Sequence, residues 1–154
     1  MQPAVMVPGM TPFARRVLLL VALLALGGVA VSSVSLYHHY GTSRTAYCDL
    51  GENFNCDIVN RSTYSAILGV PVALIGIIGY VALLVLATLY RGEAQTPARL
   101  ALASMAGLGF ALYLTYIEGF VLAAWCVLCL SSLALIFCIS VLSSVLWLHH
   151  VRRS

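Results

Sequence analysis

The stretch Trp125-Cys126-Val127-Leu128-Cys129 opens an apolar run that continues to about Leu148. Residues three apart lie on one face of a helix, one turn from each other, so a helix here places the two sulfurs side by side. Such a pair can close to a disulfide or open to a dithiol with little backbone movement. A helix N-terminus also favours the thiolate, because its unpaired N–H groups carry partial positive charge. The stretch therefore predicts a redox-active thiol pair that exchanges electrons with a lipid-soluble molecule.

The composition is typical of a membrane protein. Of the 154 residues, 62% are hydrophobic and only 8% are charged, whereas a soluble domain carries about 25% charged residues. At this length we expect a single membrane domain over residues 1–154. The basic residues are all arginines and are scattered rather than clustered, so the net charge of +3 does not indicate a nucleic-acid partner.

Four apolar segments predict an all-α membrane protein with four transmembrane helices. A helix needs about 20 apolar residues to span a bilayer. The predicted spans are 17–36, 71–90, 99–120 and 126–148. A long polar loop, 37–70, joins the first two spans, and within it we expect a short interfacial helix over 62–68. Pro71 is predicted to open the second span, because proline is tolerated in a first helical turn.

The first apolar run admits a second interpretation. Arg15 and Arg16 followed by an apolar segment also resemble the start of a secretory signal peptide. Signal cores are shorter than the run 17–36, so the sequence favours a membrane span.

The arginines predict the orientation of the four spans. An even number of spans places both termini on one side of the membrane, where six of the eight arginines then lie. These are Arg15, Arg16, Arg91, Arg99, Arg152 and Arg153. The positive-inside rule makes that side cytoplasmic, in a multi-pass protein of the inner cell membrane. The loop 37–70 and the Cys126 end of the last span then face an oxidising compartment, in which disulfides persist.

Four cysteines share this outer side: Cys48 and Cys56 in the loop, and Cys126 and Cys129 at the helix start. They fit two stapling disulfides, a four-cysteine zinc site, or a relay of thiol–disulfide exchange. The spacing from Cys48 to Cys56 is wider than zinc sites usually have, so no metal is predicted. The apolar surroundings of the helix pair favour the relay, because stapling disulfides usually lie in polar loops.

An ordered set of motifs resembles the vitamin K epoxide reductase family. The motifs are Ala46-Tyr47-Cys48-Asp49-Leu50-Gly51, Cys56, Ser62, Gly69-Val70-Pro71 and Cys126-Val127-Leu128-Cys129. They extend over nearly the whole chain, from about residue 15 to 148. The resemblance implies a four-helix bundle that encloses a quinone, either ubiquinone or menaquinone, and a thiol oxidoreductase that supports disulfide-bond formation.

The resemblance also implies a role for each cysteine. Cys48 would meet a thioredoxin-fold partner outside the cell membrane, Cys56 would exchange with Cys126, and Cys129 would face the quinone. Because the chain reaches only Ser154, we expect that partner to be a separate protein.

The quinone is expected beside Cys129, under a cap formed by 62–68. The predicted binding residues are Ser62, Ser65, Pro71, Tyr113 and Cys129. The sequence departs from vertebrate members at two positions: Leu133 replaces a quinone-binding tyrosine, and the polar amide before helix 2 falls near Ser65. A vitamin K quinone or epoxide reductase, and a non-catalytic four-span protein with structural disulfides, are the alternatives.

Three further residues have two interpretations each. Glu118 can relay a proton to the reduced quinone, or it can be an interfacial acid in water. Tyr113 can line the pocket or belong to an interfacial aromatic belt. Cys138 is expected to be a buried small hydrophobe in the last helix rather than a reactive thiol.

Overall fold

Four helices make up most of the structure, a computed structural model. It describes residues 10–40, 49–51, 54–55, 63, 66–123 and 125–153. The helices are α1 (Pro12–Tyr40), α2 (Val72–Thr88), α3 (Thr96–Tyr116) and α4 (Val127–Arg153). A π-helical turn, Ile117–Leu122, continues α3. Helix α1 contacts α2 and α4, and α3 contacts α4 and α2, so the four form a bundle.

Three of these helices are long and apolar enough to cross a membrane. They comprise Pro12–Tyr37 of α1, Thr96–Leu122 (α3 with its π-helical turn) and Val127–Arg153. Helix α2 is also apolar but has only 17 residues. The predicted all-α membrane class is therefore confirmed, with three helices of spanning length and a shorter fourth.

Helix α1 begins five residues before the predicted span because a capping signal precedes it. The side chain of Thr11 accepts a hydrogen bond from the N–H of Ala14 at 3.1 Å, which satisfies one of the unpaired donors of the first turn. Pro12 follows at the first helical position, where a missing N–H costs nothing. Together these residues start the helix before its apolar run.

Glycines allow α1 and α2 to pack closely in antiparallel orientation. A Cβ added at Gly28 would lie 2.2 Å from the ring of Tyr80, and one added at Gly76 would lie 2.9 Å from the hydroxyl of Ser32. Since real Cβ atoms do not approach so closely, a side chain at either position would force Tyr80 or Ser32 to move. Tyr80 therefore sits in a position that Gly28 makes available.

Helices α3 and α4 meet through serines and small residues. The hydroxyl of Ser140 donates to the backbone carbonyl of Ser104 at 3.0 Å. One turn further along the pair, Gly107 faces Ile136, and a Cβ on it would lie 3.2 Å from that side chain. Small residues and interhelical hydrogen bonds are the usual means of helix packing in lipid.

Both chain ends lie at the same end of the bundle. The ring of Phe13, in the first turn of α1, is 4.8 Å from that of His149 near the end of α4. The turn between α2 and α3 lies at this end too, because the helices alternate in direction; there Arg99 pairs with Glu93 at 3.0 Å. The six arginines that predict the cytoplasmic side therefore share one end of the bundle.

The closely packed core occupies the half of the bundle near the chain ends. Its buried side chains come from all four helices. They are Val17, Leu18, Val21, Ala22, Ala25, Tyr80, Leu83, Ala87, Leu100, Ile136, Ile139 and Leu146. We call this the closed half. The other half, toward the start of α4, is the open half.

The described residues between α1 and α2 include two short hairpins. Strands β1 (Asp49–Gly51) and β2 (Phe54–Asn55) pair antiparallel, as do β3 (Ala66–Ile67) and β4 (Val70–Pro71).

The expected interfacial helix over 62–68 is wrong for residues 66–68, whereas Thr63 lies in a 3₁₀ turn. Ala66 and Ile67 are extended, and the chain reverses at Leu68 and Gly69, which have φ angles of 53° and 83°. Two successive residues of positive φ form the turn that suits a hairpin's twist.

Candidate active site: a cavity beside the paired cysteines

The open half encloses a cavity of about 350 Å³ between the four helices. Most of its wall is apolar. Its polar lining residues are Ser32, Ser35, Tyr80, Glu118, Cys129 and Ser132. A volume of this size with few polar groups is typical of a small-molecule site, and the lining suits a lipid-soluble ring compound better than a charged one.

The two helix cysteines differ in their environment. Cys126 directly precedes α4, is 0% exposed, and accepts the N–H of Leu130 on its carbonyl oxygen at 2.9 Å. It packs against Leu122, Leu128 and Cys129. Cys129 is partly exposed and forms part of the cavity wall. At the start of α4, Cys126 is therefore shielded, whereas Cys129 lies at the cavity.

Glu118 lies in the wall next to both cysteines. Its side chain is 1% exposed. Its Oε2 atom accepts the backbone N–H of Cys126 at 3.2 Å, and its side chain belongs to the same cavity wall as Cys129. Its Oε1 atom has no hydrogen-bond partner among the described residues. The interpretation of Glu118 as an interfacial acid in water is therefore wrong.

An irregular helix end aims Glu118 inward. The π-helical turn Ile117–Leu122 widens the end of α3, a feature often found at functional sites. Ala123 then adopts a left-handed conformation with φ 49°, which ends the helix. Gly119 leaves room for the ring of Trp125, since a Cβ there would lie 3.0 Å from it. These features fold the chain back so that Cys126 meets Glu118.

A tyrosine and a serine form the deep end of the cavity. The Tyr80 hydroxyl donates to the backbone carbonyl of Ser132 at 2.9 Å and lies 2.8 Å from the Ser132 hydroxyl. Ser132 follows Cys129 by three residues and so lies one helical turn deeper on the same face. Tyr80 marks the boundary between the open half and the closed half.

The predicted quinone-binding residues do not all lie at this cavity. Pro71 is buried and directly precedes α2, next to Val72 in the cavity wall. Tyr113 is 54% exposed and is not among the lining residues, whereas Phe110 and Leu114 of the same helix are. The structure thus puts Tyr113 on the outside of α3, in agreement with its other interpretation. Four predicted site residues lie outside the described part of the chain: Cys48, Cys56, Ser62 and Ser65.

The expected burial of Cys138 is wrong. Its side chain is exposed on the outer surface of α4, although its neighbour Ile139 is fully buried. In an apolar helix without a polar face, the sequence pattern does not tell which side points outward.

The sequence prediction missed Tyr80 and Ser132, and gave Glu118 no firm place in the site. A signal was available for each. A polar side chain inside an apolar helix needs a partner or a function. Ser132 also shares the helical face of Cys129, which the spacing of three residues indicates.

The described part of the chain holds no cluster of three His, Cys, Asp or Glu side chains that could bind a metal ion. Cys48 and Cys56 lie outside that part, so this finding does not bear on the loop cysteines.

A comparison with protein families bears on the chemistry of the cavity. The model of the vitamin K epoxide reductase family matches residues 19–144, most of the chain and parts of all four helices. The protein belongs to the vitamin K epoxide reductase family. This family consists of membrane oxidoreductases linked to quinones, and the match includes both helix cysteines and Glu118. The apolar cavity beside Cys129 fits a quinone ring in size and polarity.

Proposed function

We propose that the protein is a quinone-dependent thiol oxidoreductase that supports disulfide-bond formation outside the cytoplasm. The observation that carries this proposal is the position of Cys129, which opens onto an apolar cavity while Cys126 is shielded one turn away. A dithiol so placed delivers two electrons to a ring compound that enters from the lipid. The membrane quinone is the electron-accepting substrate.

Electrons reach this pair from a separate thioredoxin-fold protein through the loop cysteines. The partner exchanges with Cys48, Cys56 exchanges with Cys126, and Cys129 faces the quinone. The pairing of Asp49 with Asn55 supports the loop step, since these residues are adjacent in sequence to Cys48 and Cys56. The order in the helix follows from depth, because Cys129 lies about 4.5 Å further along the axis than Cys126.

The proposed orientation places the chain ends in the cytoplasm and the cysteine end outside, with α2 as a fourth span. Six arginines at one end of the bundle support it through the positive-inside rule. A membrane-impermeant thiol reagent should label reduced Cys48 in intact spheroplasts. Labelling only after lysis would mean that the cysteine end of the bundle faces the cytoplasm.

The proposed pocket places the quinone ring between Cys129 and the wall residues Phe110 and Leu114. Pro71 holds the start of α2 beside it. Ser62 and Ser65, in the segment before the second hairpin, are proposed to cap the ring. Dispersion and burial of apolar surface supply most of the affinity in such a pocket.

The direct test is anaerobic mixing of the reduced, purified protein with ubiquinone and menaquinone analogues, following quinol by absorbance. We expect one quinol per protein from the Cys126–Cys129 dithiol, which carries two electrons, and a second as the reduced pair Cys48 and Cys56 passes its two electrons along the proposed relay. A folded, fully reduced protein that forms no quinol from either analogue would contradict the proposed function.

Vitamin K epoxide is the second candidate substrate, because the family includes that reaction. Leu133 stands where vertebrate members have a tyrosine, which favours quinone over epoxide. The same assay with the epoxide as acceptor separates the two. If the protein converts the epoxide to the quinone about as fast as it converts the quinone to quinol, the result would favour a vitamin K epoxide reductase.

A further inference from the structure

The carboxyl group of Glu118 is unusual because only one of its oxygens has a backbone donor. Oε2 accepts the N–H of Cys126 at 3.2 Å, while Oε1 is buried with no hydrogen-bond partner among the described residues. The side chain is 1% exposed and belongs to the wall of the cavity. A buried carboxyl oxygen without a donor is costly. A carboxyl group is not needed merely to accept the N–H of Cys126. A neutral amide or hydroxyl side chain accepts such an N–H without burying an unpaired carboxyl oxygen.

The position of this oxygen matches a need of the proposed reaction. Oxidation of the dithiol by a quinone breaks two S–H bonds, forms one S–S bond and forms two O–H bonds. The electron pair passes from the sulfurs to the ring. A thiol reacts as its thiolate, so the proton of Cys129 must leave before or during electron transfer. In an apolar cavity, water is a poor acceptor for that proton, and the carboxyl group of Glu118 lies in the same cavity wall as Cys129.

We propose that Glu118 is the catalytic acid–base of this site, taking the proton of the Cys129 thiol and delivering it to a quinone oxygen. This inference rests on the proposed function. The carboxylate is regenerated in each turnover, and the second proton, released by Cys126 as the disulfide closes, ends on the other quinone oxygen. The hydrogen bond from the backbone N–H of Cys126 holds the carboxyl group at the start of α4, where both cysteines lie.

Glu118→Gln separates proton transfer from positioning. The side-chain amide has the size of the carboxyl group, and its carbonyl oxygen still accepts the N–H of Cys126, but it cannot take up a proton. Glu118→Asp keeps the acid and shortens the side chain. Glu93→Gln is the matched control, because Glu93 is an exposed acid that pairs with Arg99 at the opposite end of the bundle.

The experiment measures two half-reactions on each variant in detergent. One is anaerobic quinol formation with a ubiquinone analogue, and the other is re-reduction of the oxidised protein by a small dithiol. Loss of a general acid–base lowers rates by about 10²–10⁴-fold. We expect Glu118→Gln to lower the kcat of quinol formation by about 100-fold or more, with KM and re-reduction unchanged. Glu118→Asp should recover part of the rate, and Glu93→Gln should equal the wild type.

Three results would overturn the inference. Quinol formation by Glu118→Gln at the wild-type rate would remove any role in proton transfer. Equal losses in both half-reactions, or an Asp variant no faster than the Gln variant, would make Glu118 a structural residue. Failure of the wild type itself to form quinol would refute the proposed function, and the acid–base role with it.

Discussion

The open and closed halves of the bundle are built from the same four helices but are packed differently. In the closed half, fully buried side chains such as Val21, Leu100 and Ile139 fill the space between the helices. In the open half, serines and small residues leave a cavity of about 350 Å³. The packed side chains of the closed half hold the helices together, while the cavity of the open half has room for a ligand. The difference shows that a helix bundle can separate its packed scaffold from its cavity along the helix axis.

Among these predictions, removal of Cys129 should have the largest effect on the proposed activity of the open half. We expect Cys129→Ala to abolish quinol formation, because the sulfur on the cavity wall is lost. Cys126 can still attack the Cys48–Cys56 disulfide at Cys56 and release the Cys48 thiol, but Cys129 is no longer there to resolve the new bond. A Cys56–Cys126 disulfide should therefore accumulate in protein whose loop disulfide is oxidised. Mass spectrometry under non-reducing conditions detects it. Recovery of a Cys48–Cys56 disulfide alone, with Cys126 free throughout, would contradict the proposed relay.

A larger residue at Gly28 should displace the ring of Tyr80, which lies at the boundary between the two halves. In Gly28→Ala the new Cβ would lie 2.2 Å from the ring of Tyr80, so the ring must move. Overpacking of this kind lowers the free energy of unfolding by about 1–3 kcal/mol. Gly27→Ala is the matched control, because its Cβ would meet Leu135 at an ordinary 3.8 Å. Thermal unfolding in detergent compares the two variants. Equal melting temperatures would show that the close contact between residue 28 and Tyr80 does not affect stability.

The hydrogen bonds of the deep end should have a smaller effect. Tyr80→Phe removes the hydroxyl that donates to Ser132, which costs about 0.5–1.5 kcal/mol of unfolding free energy. Ser132→Ala should cost less, because the Tyr80 hydroxyl still reaches the backbone carbonyl at 2.9 Å. Denaturation of the two variants side by side measures the difference. A larger loss in Ser132→Ala would mean that the serine hydroxyl is the essential partner.

The outer surface of the closed half should tolerate change. Cys138 is exposed on α4 and makes no part of the cavity wall. We expect Cys138→Ala to leave quinol formation unchanged and to alter the unfolding free energy by less than about 0.5 kcal/mol. The quinol assay and a melting curve check both. A clear loss of activity would extend the site beyond the open half.

The sequence predicted the helices better than their rotation. Apolar length placed the spans, and the spacing of Cys126 and Cys129 predicted their shared face. Each helix is apolar on every side, however, so nothing in the pattern tells which residues point inward. For that reason Tyr113 was predicted in the pocket, where the structure has Tyr80 instead. Glu118 depends on a π-helical turn, which hydrophobic periodicity does not reveal.

The loop was predicted less well than the helices. Residues 66–68 are apolar enough for an interfacial helix, but Leu68 and Gly69 form a hairpin turn. A positive φ at leucine has no signal in the sequence, because leucine rarely adopts it. Only Gly69 indicated a reversal of the chain at this position.

Because α2 is short, we expect the properties of this protein to depend on the thickness of the membrane around it. Its 17 residues rise about 26 Å at 1.5 Å each, a few ångströms less than a hydrocarbon core of about 30 Å. A bilayer beside such a helix thins locally or lets flanking residues reach the interface. Helix α2 also forms one wall of the cavity, through Val72, Gly76 and Tyr80. In the proposed four-span orientation, the headgroup layer comes closest to the cavity on that side, so bilayers of different acyl-chain length should change how readily the proposed quinone substrate reaches Cys129.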